Sequence, residues 1–145
     1  TAFVPALVTS GMPCDRFAFE GFLPQKKGRQ TKLESLRNEL RTMIFYESPR
    51  RLVKTLAQMA EVFGGGRPAC VCREISKIHE DCQRGTLESL ARHFTEQEPR
   101  GEIVLIVGGA DPEAVAAEKN TAEESSEDMP RKKSKYQLKM ERRKD

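Results

Sequence analysis

Glu47, Arg50 and Arg51 fall in Phe45-Tyr46-Glu47-Ser48-Pro49-Arg50-Arg51, where an apolar run gives way to a helix start. A carboxylate there can take a proton, and guanidinium groups can hold a phosphate or a developing negative charge. A second basic group, Lys26, Lys27, Arg29 and Lys32, surrounds another loop and helix start. Cations at helix N-termini work against the macrodipole, which favours anions there, so a bound phosphate would relieve the conflict. The same residues also make an ordinary solvated strand–helix corner, and Lys26 and Lys27 an ordinary solubilising surface.

What positions Glu47 is the run Met43-Ile44-Phe45-Tyr46, whose apolar and aromatic content reads as a buried strand. Ser48 suits the N-cap and Pro49 the first helical position. Glu47 then lies at the carboxyl end of a strand, where open α/β sheets bind ligands. Further strands are expected over Phe17–Leu23, Ala69–Glu74, His79–Arg84 and Ile103–Val107. Helices are expected near residues 3–10, over 28–40, over 49–63 and over 88–96. Leu52, Leu56, Met59 and Phe63 form one helical stripe. Ala69–Glu74 and His79–Arg84 have no helix between them, so they pair antiparallel. The fold class is α/β, a mixed five-stranded sheet flanked by helices.

Gly64-Gly65-Gly66 follows a helix and precedes a strand, the reverse of a phosphate-cradling loop, and reads as a helix stop. Cys14, Cys70, Cys72 and Cys82 lack zinc spacing, so no metal is expected; Cys70 and Cys72, two apart, share one face of a strand. No signal peptide or long apolar run is present, which predicts a reduced, cytoplasmic chain with no membrane partner.

The 145 residues carry a net charge of +3, too slight to mark a nucleic-acid binder, and are 37% apolar. The apolar deficit concentrates after Gly109, where an acidic block precedes a basic one. Such a segment buries too little to offset its ordering entropy. Residues 1–109 are therefore read as the folded domain, and 110–145 as a charged tail, disordered or conditionally helical. A helix opening at residue 3 without an initiator Met predicts a fragment cut at a domain boundary.

Four stretches in order resemble the ribosomal RNA small-subunit methyltransferase I family of the tetrapyrrole methylase superfamily, in its C-terminal domain. They are Pro5-Ala6-Leu7-Val8-Thr9-Ser10-Gly11 leading to Phe19-Glu20-Gly21-Phe22-Leu23-Pro24; Ile44-Phe45-Tyr46-Glu47-Ser48-Pro49; Arg73-Glu74-Ile75-Ser76-Lys77 with Gly85-Thr86-Leu87; and Gly101-Glu102-Ile103-Val104-Leu105-Ile106-Val107. The resemblance implies half of a two-domain enzyme that uses S-adenosylmethionine to methylate the ribose 2′-oxygen of a cytidine in small-subunit ribosomal RNA. It implies an N-terminal domain that holds much of the cofactor, and a homodimer. Arg50 stands where relatives often carry His, which argues against a general base at that position.

Carried over residue by residue, the resemblance implies a cofactor wall of Ala6, Leu7, Ser10, Tyr46, Gly101, Glu102 and Ile103. A ribose hydroxyl is a weak acid, so Glu47 and Glu74 are candidate bases, with Arg73 and Lys77 as stabilisers of the alkoxide. RNA contact would fall to Lys26, Lys27, Arg29, Lys32, Arg50 and Arg51. Alternative readings are a non-catalytic RNA-binding or dimerisation module, with Ile103–Val107 supporting subunit contact, and a porphyrin or corrin methylase domain. Few aromatic residues are on hand to stack bases, which argues against an RRM-like module.

Overall fold

A computed structural model describes residues 2–74, 78, 80–127 and 139–143. The chain divides into two compact units, Thr1–Pro112 and Glu113–Asp145.

In the first unit, β1 (Phe17–Phe22), β2 (Thr42–Glu47), β3 (Pro68–Arg73), β4 (Asp81–Thr86) and β5 (Ile103–Val107) form one sheet in the order β1-β2-β5-β3-β4. β1 and β2 run parallel, joined through helix α2 (Arg29–Leu36); β5 lies antiparallel to both β2 and β3, and β4 antiparallel to β3. The sheet is mixed, as expected. β5, all apolar and fully buried, is its central strand. That position corrects the expectation that Ile103–Val107 supports subunit contact, because both its edges are paired and both its faces covered.

Strand alternation sorts side chains to two faces. Met43, Phe45, Ala69, Val71, Ile103, Leu105 and Val107 pack under α2, α3 (Leu52–Phe63) and α4 (Leu87–Glu96) in the main core. The predicted stripe Leu52, Leu56, Met59 and Phe63 is buried there. Ile44, Cys70, Cys72, Val104 and Ile106 face the other way, beneath Ala6 and Leu7 of α1 (Phe3–Thr9).

Strand ends shift from expectation by at most two residues, β4 most, to Asp81–Thr86, and two helix ends shift further. α3 begins at Leu52, not at Pro49: Ser48 to Arg51 form a turn closed by the Arg51 N–H donating to the Ser48 carbonyl at 3.1 Å. α2 ends at Leu36, four residues early, since Glu39 accepts from the Arg41 backbone N–H at 3.0 Å and guanidinium at 2.8 Å and so offers a local alternative to the helix. The α4 start carries a reciprocal cap, Thr86 Oγ1 accepting from the Ser89 N–H and Ser89 Oγ from the Thr86 N–H. Gly64 stops α3 at φ 99°, as read.

In the second unit, residues up to Glu127 continue helix α5 (Pro112–Glu127). Among the described residues no helix is long and apolar enough to cross a membrane.

Candidate active site

β1 and β2 finish, and β5 starts, at one end of the sheet, where Glu47 pairs with Ile103 and Ile103 with Arg73. A groove of about 680 Å³ opens there, lined by Phe22, Tyr46, Glu47, Ser48, Pro49, Glu74, Gly101, Glu102, Ile103, Val104 and Ala2. Tyr46, Gly101, Glu102 and Ile103 of the expected cofactor wall meet in it, and so do the two candidate bases Glu47 and Glu74.

The two carboxylates have different surroundings. Glu47 is 6% exposed. Its Oε1 accepts from the Ser48 N–H at 2.8 Å and lies 3.7 Å from Arg51 Nε; its Oε2 accepts from Thr55 Oγ1 at 2.8 Å. Thr55 Oγ1 in turn accepts from Arg29 Nη2 at 2.6 Å, and Arg29 also donates to Gln58 Oε1 and the Pro24 carbonyl. Buried polar groups are stable only when paired, and this chain of contacts pairs them. The anion that eases the cationic start of α3 is therefore Glu47 itself.

Glu74 is half-buried and sits just past β3 at φ 52°, the one positive φ outside glycine among the described residues. Its N–H donates to the Glu102 carbonyl at 3.0 Å, and its Oε1 accepts from the Glu102 N–H at 3.1 Å. Gly101 is at φ 83°, and a Cβ there would collide with the Glu74 carboxylate. A left-handed residue at a groove costs conformational energy, and such strain clusters at ligand sites.

The remaining predicted residues are placed elsewhere. Ala6 and Leu7 are buried on the sheet-facing side of α1, because a short helix on a sheet spends its apolar face in the core. Ser10 is buried at the opposite end of the sheet, donating to the Leu7 carbonyl at 2.6 Å and accepting from the Met12 N–H. It borders a second hollow of about 690 Å³ with Arg16, Arg41 and Arg84, which no other predicted site residue among the described ones lines. Arg73 turns to the helical face: it donates to Asp81 at 2.7 Å and lies over the Phe94 ring, and its buried Nε has no hydrogen-bond partner among the described residues. The Arg73 hydrogen bond holds the Asp81 carboxyl below the usual carboxylate range. Lys77 lies outside the described residues.

Of the six expected RNA contacts, Lys26, Lys27 and Arg50 are exposed. Lys32 pairs with Glu20 at 2.9 Å and Arg51 with Glu47, while Arg29 is buried with three hydrogen-bond partners. Arg29 is thus a correction: its guanidinium faces the core, not solvent.

Sequence reasoning missed the aromatic side of the groove. Phe22 lines it and is 67% exposed, with its ring 5.7 Å from that of Tyr46; Phe19, 49% exposed, lies 5.4 Å from Tyr46 behind it. A bulge between Phe19 and Gly21 returns Phe22 to the Tyr46 face. The one signal was the glycine inside an alternating strand.

No family model matches the chain. Curated relatives do. It is 47% identical to the ribosomal RNA small subunit methyltransferase I of Synechocystis over 78% of this chain and 41% of that protein. It is 46% identical to that of Mycobacterium tuberculosis, over 79% and 40%, and 39% identical to that of Thermotoga maritima, over 75% and 49%. The chain spans about two fifths to one half of the length of these relatives. Among solved structures, the methyltransferase CobJ matches with a TM-score of 0.57 at 21% identity, covering 76% of this chain and 48% of that one. The uroporphyrin-III C-methyl transferase of Thermus thermophilus, complexed with S-adenyl homocysteine, matches with a TM-score of 0.52 at 19% identity, covering 71% and 48%. These likenesses show a shared fold, and the closer sequence likeness says which branch of that fold this is: the chain belongs to the ribosomal RNA small subunit methyltransferase I family, as a C-terminal α/β domain on the framework of the tetrapyrrole methyltransferases.

Proposed function

We propose that this chain is the C-terminal half of a cytoplasmic, homodimeric methyltransferase that uses S-adenosylmethionine to methylate the ribose 2′-oxygen of a cytidine in small-subunit ribosomal RNA. The observation that carries the reading is the meeting of Tyr46, Gly101, Glu102, Ile103 and Glu74 in one groove at the carboxyl ends of β1 and β2. The groove fits the cofactor chemically. Tyr46 and Phe22 offer flat apolar surface to a base, the missing Cβ of Gly101 leaves backbone open to close approach, and Glu74 and Glu102 supply negative charge beside a cationic ligand. The cofactor, when bound, supplies an electrophilic methyl group on a sulfonium.

The chain's own residues would then bind, orient and take a proton. Glu74 is the base best supported by the geometry, its Oε1 aimed by the Glu102 N–H. Glu47 reads as the buried brace of the wall, since both its oxygens are engaged. Lys26, Lys27 and Arg50 are exposed cations and form the proposed RNA contact. The second half of the cofactor cleft is assigned to an N-terminal domain like that of the longer relatives.

The deciding experiment restores such a domain and measures transfer of labelled methyl to small ribosomal subunits, then identifies the modified nucleoside by mass. A ribose-methylated cytidine is expected, and the present chain alone should bind cofactor weakly and transfer nothing. A methylated base, or methylation of a tetrapyrrole in place of RNA, would overturn the reading. Replacing Lys26, Lys27 and Arg50 by Gln should lower the salt slope of RNA binding by about one unit per lost phosphate contact.

A further inference from the structure

Three thiols lie together beneath α1, on the face of the sheet opposite the main core. Cys72 and Cys82 are register partners on the antiparallel strands β3 and β4, with their Sγ atoms 3.1 Å apart. Cys70, two residues before Cys72 on the same face, has its Sγ 3.6 Å from that of Cys72. Cys70 and Cys72 are fully buried, whereas Cys82 is only half-buried. All three are free thiols.

We propose that Cys82 is an oxidation site for peroxides, and that it resolves onto Cys72 to form a cross-strand disulfide between β3 and β4.

Access and geometry both select this pair. Cys82 is the one thiol of the cluster that meets solvent, so the oxidant reaches it first. Directly opposed residues on antiparallel strands have Cα atoms about 4.5–5.5 Å apart, inside the range that disulfides span. Residues two apart on one strand stand about 6.6 Å apart, near the upper limit, with their Cβ atoms held parallel by the pleat. The Cys70–Cys72 pair is therefore the poorer bridge despite its similar sulfur separation.

The steps balance. The Cys82 sulfur attacks one peroxide oxygen and the O–O bond breaks. Cys82 becomes a sulfenic acid and the peroxide is reduced to water or an alcohol. The Cys72 sulfur then attacks the Cys82 sulfur, the S–O bond breaks, and water leaves with the Cys72 proton. Two thiols have lost two electrons and one peroxide has gained them. Burial pushes the Cys82 thiol up, and its contact with Cys70 together with burial pushes Cys72 up, so the reaction is slow beside that of a dedicated peroxidase. The bond would close the connection between β3 and β4 two residues before Glu74.

The test treats the intact chain carrying Cys14→Ser with hydrogen peroxide, blocks remaining thiols by alkylation, and maps linked peptides by mass. In this background three thiols remain; one should survive oxidation, with Cys82 linked to the peptide that holds Cys70 and Cys72. Cys70→Ser should keep the link. Cys82→Ser should abolish it, and Cys72→Ser should leave a Cys82 sulfenic acid that dimedone captures. Should Cys72→Ser fail to fold, the wild-type map and the Cys70→Ser variant still decide. A link that needs Cys70, a link between molecules only, or a folded protein whose thiols survive peroxide would each overturn the proposal.

Discussion

Two charged corners close the same end of this sheet, and they are built in opposite ways. At the end of β2, Glu47 is buried; one oxygen takes the Ser48 N–H beside Arg51, and the other leads inward through Thr55 to Arg29 and Gln58. Past the end of β3, Glu74 sits at a left-handed backbone angle against Gly101, with its carboxylate at the groove. A buried carboxylate whose oxygens are all engaged has little capacity left for a substrate proton. A half-buried one at the groove, aimed by the Glu102 N–H on strained backbone, is placed to meet a substrate proton. Charge at a strand end is thus not a site by itself; what matters is where its hydrogen bonds go.

The sharpest way to break this comparison is to neutralise each carboxylate in the two-domain enzyme. Glu74→Gln should lower kcat on the order of a hundredfold or more, the usual scale for a lost general base, with little change in melting temperature. Glu47→Gln should cost about 1–2 kcal/mol of stability through weakened buried hydrogen bonds, with turnover following only the folded fraction. Single-turnover rates and thermal melts on the same preparations separate the two. Equal losses of rate would show that both corners do the same work.

Next in size is the inward network itself. Arg29→Ala leaves the Thr55 hydroxyl, the Gln58 amide and the Pro24 carbonyl without their donor, and should destabilise the fold by about 3 kcal/mol in urea titration. A change under half of that would mean Arg29 is a surface residue in solution. Gly101→Ala should cost about 1–3 kcal/mol, because φ 83° is strained for alanine and the new methyl meets the Glu74 carboxylate. If Gly101→Ala binds cofactor normally in the restored enzyme, close backbone approach is not what the glycine provides.

The smallest effect belongs to the half-buried pair Arg73–Asp81 beside Glu74. Arg73 holds the Asp81 carboxyl below its ordinary range by a hydrogen bond. A depressed folded value means the stabilisation is complete above the unfolded value and drains away as the pH falls through the folded one. Asp81→Asn should therefore flatten the acid limb of a stability-versus-pH curve, and cost less than about 1 kcal/mol at neutral pH. A steeper acid limb in the variant would reverse the sign.

What could be read beforehand followed from periodicity. Ile103–Val107 reads as a buried strand because nothing in it tolerates water, and Leu52, Leu56, Met59 and Phe63 read as a helix stripe because they recur at its spacing. Arg29 could not be read, since a charge in a loop-and-helix start looks like surface until a tertiary partner, Thr55, claims it. Ala6 and Leu7 were expected in the cofactor wall by resemblance, yet their helical phase puts them in the core. Glu74 and Gly101 were each visible, but not that one exists in its conformation because the other lacks a side chain. Phe22 escaped because the bulge at Gly21 changes the phase of its strand.

The placement of β5 carries a consequence for how the chain is made. It is the last strand of the sheet in sequence and the middle one in space, and β2 and β3 are joined only through it. Until residues 103–107 leave the ribosome, the strand that pairs β2 and β3 is absent, so β1–β2 and β3–β4 can form at most two separate ribbons, each with an unpaired inner edge. Their union waits on contacts distant in sequence, which folds slowly and leaves strand edges open to other chains in the meantime. The run Ile-Val-Leu-Ile-Val is itself of the kind that self-associates when left exposed. Nascent chains stalled before Val107 should therefore be the aggregating species, and the groove, which draws on residues from Ala2 to Val104, would be among the last parts to take shape.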